Sequence, residues 1–361
     1  MEQRLTLEQA SRLAQAINGS PNDKFGYLRS LRFTHPNLEV VRKRVRENTT
    51  PHGELSITIV SGPAGVGKST FAQLLMEELL KRHEVEIQED LGSIPVVLSV
   101  IDAADGKQIN WQLFYQNMLQ DLVTITPAFL SSQANTPESM NAAIKSSRMM
   151  LDHALRQRKV RYIILDEAVH LTDSATPPLQ YGNLLKSLAN RAGLNLILVG
   201  AYGSERLMEA SGQLTRRLEV VEFPRYRCKE EGFREFATFL MEFQRFIPLP
   251  FEIPLSKYIE PLFLAHMGLC GYASQTLAKV VRACAYDGLK RWEDDYLWNA
   301  CPVPAAYEKI SMETLAGEMA IKRYLKSPKA RTYPSEKEML ARLAAQKTTG
   351  KRKDSRQETA K

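Results

Sequence analysis

Residues 61–70 read SGPAGVGKST, in which Gly62 to Ser69 has the spacing Gly-x-x-x-x-Gly-Lys-Ser. The stretch follows a β-branched run at residues 55–61 and precedes a helical pattern at residues 69–83, as a phosphate-binding loop between a strand and a helix requires. Glycines in such a loop allow backbone N–H groups to converge on an anion at the N-terminus of the helix. We therefore expect the loop to bind nucleotide phosphates through Gly62, Pro63, Ala64, Gly65, Val66, Gly67, Lys68, Ser69 and Thr70.

A second motif, IILDE at residues 163–167, is an apolar run that ends in two adjacent carboxylates. With the loop it predicts ATP hydrolysis: Lys68 reaches the β- and γ-phosphates, Ser69 and Asp166 serve a Mg²⁺ ion, and Glu167 is the general base for water. A kinase acting on a small molecule does not need the adjacent glutamate. The chain contains no NKxD sequence, which disfavours a GTPase, and no LSGGQ sequence of transporters.

Short apolar runs alternate with helical patterns through the first two thirds of the chain. Strands are predicted at residues 55–61, 94–101, 161–166, 194–200 and 218–223. This alternation indicates an α/β fold with a five-stranded parallel sheet flanked by helices. After Pro224 only helical patterns remain, which predicts a small all-helical domain.

The expected organisation has four parts, of which the last is a basic, partly disordered tail. The predicted boundaries are an N-terminal helical segment at 1–50, an α/β core at 51–224, a helical lid with C-terminal helices at 225–321, and the tail at 322–361.

The net charge of +7 is concentrated in the predicted tail. Residues 322–361 carry thirteen Lys or Arg and four Asp or Glu, so the rest of the chain is slightly acidic. Such a tail binds DNA or a protein partner, or is a solvated end. The apolar runs are too short to span a bilayer and the N-terminus does not resemble a signal peptide, so we expect a cytoplasmic protein without a membrane partner.

Two further features concern the chemistry of the γ-phosphate. A polar residue after the fourth predicted strand would sense the phosphate, and Tyr202 and Ser204 are the candidates. Arg216 and Arg217 precede the fifth predicted strand, where an arginine typically faces the ATP of the neighbouring subunit. The alternative is that these arginines pair with surface acids.

Taken together, residues 30–295 resemble an AAA+ ATPase, a class of P-loop NTPase in which an all-helical lid follows the α/β core. More narrowly, the chain is similar to the TnsC/TniB family of transposition regulators. The resemblance rests on SGPAGVGKST at 61–70, IILDEAVHL at 163–171, LILVGAYGSERL at 196–207 and LTRRLEVVEFPRY at 214–226.

The sequence departs from the family pattern at three places. His170 follows the acidic pair by three positions instead of two, and Ala201 stands where a threonine is usual. No arginine follows Gly271 as a second sensor, which leaves Lys279 and Arg282 as substitutes.

The resemblance implies a protein that binds ATP and Mg²⁺ and forms rings or helical oligomers on double-stranded DNA. It would connect a target-selection protein of the TniQ/TnsD type to transposase subunits of the TnsB/TnsA type, and disassemble after hydrolysis. In CRISPR-associated transposons the selector can be an RNA-guided complex. The expected location is the bacterial cytoplasm, in association with DNA. Candidate DNA contacts are Lys107, Lys145 and Arg148, while Phe33 and His35 are candidates for the adenine site.

Two other functions are compatible with the same motifs. The first is a DNA-loading AAA+ protein of the initiator or helicase-loader type. The second is a signalling ATPase that does not bind DNA. In such a protein, the two extra helices predicted between the second and third strands, at 110–123 and 137–158, bind other proteins. A neighbouring transposase gene distinguishes the regulator from the initiator, and electron microscopy with duplex DNA distinguishes both from the signalling ATPase.

Overall fold

Five parallel strands form one sheet in the order β2-β3-β4-β1-β5 in the computed structural model. The model describes residues 6–49, 56–103, 109–122, 137–173, 185, 188, 194–210 and 212–325, without the side chains of residues 137–144 and 173. The strands are β1 (Ile57–Gly62), β2 (Val96–Val100), β3 (Tyr162–Asp166), β4 (Asn195–Ala201) and β5 (Leu218–Glu222). This confirms the predicted α/β class and the five-stranded parallel sheet.

The central strands are buried along almost their whole length. Every residue of β1 and β3 is buried, as expected for a parallel sheet with helices on both faces. Because β4 lies between β1 and β3, its C-terminal end separates the phosphate-binding loop from Asp166. This order makes the end of β4 part of any site that both motifs share.

Three helices precede the sheet: α1 (Leu7–Asn18), α2 (Pro21–Ser30) and α3 (Pro36–Asn48). Thr6 and Gln9 form a capping box at the start of α1. Helix α2 was not predicted, although Ser20 caps it and Asp23 completes a second capping box. Helix α3 buries Leu38, Val41 and Val45 against the sheet.

The helices of the core surround the sheet and include the two extra helices that the sequence predicted between β2 and β3. Asn110 caps the first of these, with its Oδ1 atom accepting a 3.0 Å hydrogen bond from the Leu113 amide. The core helices are α4 (Lys68–Arg82), α5 (Glu84–Glu89), α6 (Trp111–Leu122), α7 (Pro137–Gln157), α8 (His170–Asp173) and α9 (Gly212–Thr215), with a 3₁₀ helix at Ser204–Glu209.

After β5 the described chain is helical. The helices are α10 (Glu230–Gln244), α11 (Ile259–Ala265), α12 (Cys270–Tyr286), α13 (Asp294–Ala300) and α14 (Pro304–Ile321), with a 3₁₀ helix at Leu255–Tyr258. Phe236, Phe243 and Leu277 belong to a hydrophobic core that also contains Leu28 of α2. The N-terminal segment therefore shares its core with the lid. In the described parts of the chain, no helix is long and apolar enough to cross a membrane.

The C-terminal helix α14 packs against the loop that follows β4. A Cβ atom at Gly317 would lie 2.6 Å from the Cβ atom of Tyr202 and closer still to its ring, so only glycine permits this contact. The next residue, Glu318, accepts a 2.8 Å charged hydrogen bond from Nε of Arg225, and both side chains are largely buried. Helix α14 is thus fixed to the core by two adjacent contacts.

Replacing Gly317 with alanine is expected to lower the free energy of unfolding by about 1–3 kcal/mol, because the added methyl group overlaps the Cβ atom and the ring of the half-buried Tyr202. Urea denaturation of the full chain measures the change. Gly26→Ala is the matched control: Gly26 also lies in a helix, but a Cβ atom there meets nothing within 4 Å. We expect this control to be neutral or stabilising, and equal midpoints for Gly317→Ala and wild type would contradict the packing argument.

Candidate active site

The loop between β1 and α4 has the conformation that phosphate binding requires. Gly65 and Gly67 have φ angles of 77° and 110°, in the left-handed region that favours glycine. The Lys68 ammonium donates hydrogen bonds to the carbonyl oxygens of Gly62 and Pro63, at 3.1 and 2.8 Å. Lys68 is therefore folded over the loop, with its charge at the concave side of the turn.

Electrostatics place the two sequence motifs in one site. Burial lowers the pKa of Lys68 to about 8, and the carboxylates of Glu167 and Asp166 oppose this shift. These carboxylates act on Lys68 only because the end of β3 lies close to the loop. The predicted juxtaposition of the lysine with the acidic pair is present in the structure.

The acidic pair is held in a specific geometry at the end of β3. Asp166 is buried, and its Oδ1 atom accepts a 2.8 Å hydrogen bond from the backbone amide of Glu167. Glu167 has a φ angle of 57°, a conformation that costs a residue with a side chain about 1–3 kcal/mol and is found at functional sites. The Ala168 amide donates to the carbonyl oxygen of Val199, which joins this turn to β4.

Gly200 near the end of β4 permits this close approach. A Cβ atom there would lie 2.9 Å from the amide nitrogen of Val169. The two predicted phosphate sensors form hydrogen bonds within the core. The Tyr202 hydroxyl donates to Glu222 at 2.9 Å, and the buried Ser204 hydroxyl donates to the carbonyl oxygen of Ala201 at 2.8 Å. The prediction of a sensor at Tyr202 or Ser204 stays a prediction. In this structure the Tyr202 side chain contacts β5 and α14, and the Ser204 hydroxyl bonds to its own turn.

A cavity of about 450 Å³ is lined by residues of the loop, Glu167, the lid and the N-terminal segment. Six of the nine loop residues predicted to bind phosphate line it, and Glu167 and Ala201 lie at its wall. The lining residues from the loop and α4 are Ala64, Gly65, Gly67, Lys68, Ser69, Thr70 and Gln73; those from the N-terminal segment are Leu28, Arg29, Leu31, Arg32 and Phe33; those from the lid are Phe243, Gly271, Ser274, Gln275 and Ala278.

The lid contacts the loop directly through the N-terminus of α12. The Tyr272 amide donates a 2.8 Å hydrogen bond to the carbonyl oxygen of Gly65. A Cβ atom at Gly271 would lie 2.7 Å from the same oxygen, so glycine is required for this approach. The lid and the loop therefore share one wall of the cavity.

Of the two residues predicted for the adenine site, Phe33 and His35, only Phe33 lines the cavity. Phe33 lines it and packs against Phe243, with ring centroids 5.3 Å apart. His35 is buried instead, and its Nδ1 atom lies 2.9 Å from the Tyr226 hydroxyl. Burial lowers the pKa of His35 to about 4, so the ring is neutral and structural at physiological pH. The His35 prediction is wrong because the residue packs beneath the lid.

The two basic residues suggested as second sensors lie elsewhere on α12. Lys279 is exposed and does not line the cavity. The Arg282 guanidinium lies 4.8 Å from the ring centroid of Phe25, on the side of α12 that faces α2. Neither position supplies a charge to the nucleotide site, and that prediction is wrong.

Arg216 and Arg217 lie immediately before β5, at the edge of the sheet opposite the phosphate-binding loop. Both are exposed, and the Arg217 carbonyl oxygen accepts hydrogen bonds from the amides of Ser56 and Ile57 at the start of β1. The loop, in contrast, follows the C-terminal end of β1, which runs parallel to β5. The geometry therefore keeps these arginines away from the site of their own subunit.

The three predicted DNA contacts have different surroundings. Lys145 is exposed on α7, whereas Arg148 is half-buried and its charge acts on Tyr115 of α6. Lys107 lies outside the described residues.

Sequence reasoning missed five polar residues that line the cavity: Arg29, Arg32, Gln73, Ser274 and Gln275. Arg29 lies in α2 and Arg32 in the connection that follows it, and the position of both depends on packing against the lid. No local pattern in the sequence indicates this packing, although two arginines upstream of a phosphate-binding loop are a weak signal.

Three solved structures are similar in fold. The Aeropyrum pernix ORC2 protein shares 14% identity over 73% of this chain and 65% of its own, with a TM-score of 0.48. Cdc6p from Pyrobaculum aerophilum shares 13% identity over 89% and 88% of the two chains, with a TM-score of 0.46. Domain III of the Thermotoga maritima replication initiation protein DnaA shares 14% over 76% and 94%, with a TM-score of 0.43. No curated protein sequence matches the chain.

A family model described as an AAA domain matches residues 52–208, from the segment before β1 to the 3₁₀ helix after β4. This range contains the phosphate-binding loop, Asp166, Glu167 and the central strands of the sheet. We conclude that residues 52–208 constitute an AAA domain and that the chain is an ATPase with the AAA+ P-loop NTPase fold.

Proposed function

We propose that this ATPase is a DNA-binding regulator of DNA transposition that oligomerises on target duplex DNA and disassembles when it hydrolyses ATP. It connects a target-selection protein of the TniQ/TnsD type to transposase subunits of the TnsB/TnsA type in the bacterial cytoplasm. The observation that carries assembly is that Arg216 and Arg217 are exposed at the end of the sheet opposite the loop, away from the ATP site of their own subunit. The sequence resemblance to the TnsC/TniB family supports the assignment to transposition.

In this proposal the residues of the loop bind the ATP phosphates. The backbone amides of the turn between Gly62 and Thr70 surround the β-phosphate, and Lys68 leaves its carbonyl partners to contact the β- and γ-phosphates. The Ser69 hydroxyl and the Asp166 carboxylate are hard oxygen donors that fit Mg²⁺, which would neutralise phosphate charge when bound. Asp166 is already oriented by the Glu167 amide.

Glu167 is the proposed general base. Its side chain lines the cavity, and its backbone is fixed by hydrogen bonds to Asp166 and, through Ala168, to β4. A carboxylate in this position accepts a proton from a water molecule as that water attacks the γ-phosphate. Because no polar side chain at the end of β4 faces the cavity, the wall beside Glu167 is formed by Ala201.

Subunit mixing is expected to show that the arginine pair acts between subunits. A Lys68→Ala protein cannot hydrolyse ATP but retains its arginines, whereas Arg217→Ala retains its loop but cannot complete the neighbouring site. Mixing the two should restore part of the hydrolysis rate at mixed interfaces, since an arginine finger contributes about 10³–10⁵-fold to turnover. The same experiment with Arg216→Ala shows which arginine acts. No recovery with either variant would contradict a shared site.

Contact with DNA is proposed for the basic residues of α7 and for the basic tail. Lys145 is exposed on α7. Arg148 and Lys107 are the other two proposed contacts. Contacts of this kind give salt-dependent binding without sequence preference, which suits a protein that loads at many targets. The tail, with its thirteen basic residues, either adds to this binding or contacts the transposase.

Electron microscopy of the full chain tests the proposed function. With a non-hydrolysable ATP analogue and duplex DNA we expect rings or helical filaments on the DNA, and with ADP we expect none. Particles that do not bind the DNA would contradict the proposal and favour a signalling ATPase. A transposition assay with the selector and transposase then distinguishes a regulator from an initiator or helicase loader. If the protein is an initiator or helicase loader, omitting it from the assay leaves transposition unchanged.

A further inference from the structure

The nucleotide cavity carries more positive charge than the sequence motifs provide. Arg29 and Arg32 line it together with Lys68, while Glu167 is the only acidic residue among its lining residues. In the described part of the chain neither arginine forms an ion pair. Two cations without an acidic partner thus face a phosphate-binding pocket, an arrangement suited to a polyanion.

Arg32 is oriented by neutral acceptors. Its Nη1 group donates to the carbonyl oxygens of Arg29 and Leu31, at 3.0 and 3.1 Å, and its Nε group donates to Oε1 of Gln73. Gln73 lies on α4 about one turn beyond Ser69, so the guanidinium is fixed beside the helix that begins at the loop. Neutral acceptors orient the side chain without cancelling its charge.

The lid does not supply a competing charge. The residues of α12 that line the cavity are Gly271, Ser274, Gln275 and Ala278, and none of them is ionisable. Helix α2 contacts this same helix: Leu28 is buried in the lid core, and Phe25 lies under the guanidinium of Arg282. Arg32, just after α2, therefore lies close to both the nucleotide cavity and the lid.

We propose that Arg32 is a nucleotide-binding residue that donates hydrogen bonds to phosphate oxygens, with Arg29 adding to the attraction. In this way the N-terminal segment supplies a second positive charge, which the cavity-lining residues of the lid do not provide. The proposal rests on the cavity being the ATP site, and it is independent of the DNA and transposase roles.

The test is the equilibrium affinity of the full chain for a fluorescent ATP analogue, measured without DNA. Arg32→Gln is expected to weaken binding about tenfold, the effect of one charged hydrogen bond. Arg32→Lys, which keeps the charge, is expected to bind more tightly than Arg32→Gln. Competition with unlabelled adenosine should be the same in wild type and Arg32→Gln, because adenosine has no phosphate.

Arg12→Gln is the matched control. Arg12 lies on α1 in the same N-terminal segment and donates to the Ser30 hydroxyl, but it does not line the cavity. It should bind the analogue within about twofold of wild type. Affinity of Arg32→Gln within about twofold of wild type, or an equal loss for adenosine, would overturn the proposal. If Lys68→Ala also binds normally, the assignment of the cavity as the ATP site fails instead.

Discussion

Lys68→Ala is expected to reduce ATP affinity at least about 100-fold and to remove measurable hydrolysis. The lysine ammonium is the charge nearest the loop, and it already donates to two loop carbonyl groups at 3.1 and 2.8 Å. Two charged hydrogen bonds to phosphate are worth about 3 kcal/mol or more, which corresponds to this change in affinity. Isothermal titration with ATP measures the loss.

Lys81→Ala is the control for Lys68→Ala. Lys81 is exposed in the last turn of the same helix, α4, so its removal changes the net charge equally without affecting the cavity. It should bind ATP as wild type does. Normal hydrolysis by Lys68→Ala would contradict the assignment of the loop, provided that the variant unfolds at the same temperature as wild type.

Glu167→Gln is expected to retain ATP binding and to lower the hydrolysis rate at least about 100-fold. The amide keeps the size of the side chain but cannot accept a proton from water, and general-base catalysis contributes about 10²–10⁴-fold. Phosphate release measured under saturating ATP gives the rate, and titration with the fluorescent analogue gives the affinity. On DNA, this variant should remain assembled after wild type has dissociated.

Glu77→Gln is the control for Glu167→Gln. Glu77 is an exposed carboxylate on α4 that does not line the cavity, so its hydrolysis rate should equal that of wild type. Hydrolysis by Glu167→Gln at the wild-type rate would show that another group is the base. Loss of ATP binding in Glu167→Gln would show that the residue supports the structure of the pocket instead.

The parts of the site that depend on short sequence distances were predictable. Glycine spacing fixes the turn before Lys68. In a parallel sheet, the apolar strand that ends in Asp166 and Glu167 has its carboxyl end on the same side of the sheet as this turn. The positions of the strands also follow from local patterns, since each predicted strand begins and ends within two residues of the observed one. The fold was therefore predicted correctly from the sequence, together with the meeting of the two motifs.

The remaining parts depend on contacts between residues far apart in the chain. Tyr202 lies at the expected position after β4, but its ring is held by Gly317 of α14, which no local pattern indicates. His35 is buried through Tyr226, and Arg32 reaches the cavity because α2 packs on the lid. In each case tertiary packing, and not local propensity, decides where the side chain points.

In the proposed function, ATP occupancy of this site controls assembly on DNA. The most direct measurement is fluorescence anisotropy of a labelled duplex several helical turns long, titrated with the wild-type chain in ATP analogue or in ADP. We predict binding at least about tenfold tighter with the ATP analogue, because only the γ-phosphate gives the neighbouring arginine its partner. Equal affinity in the ATP analogue, in ADP and without nucleotide would contradict the account.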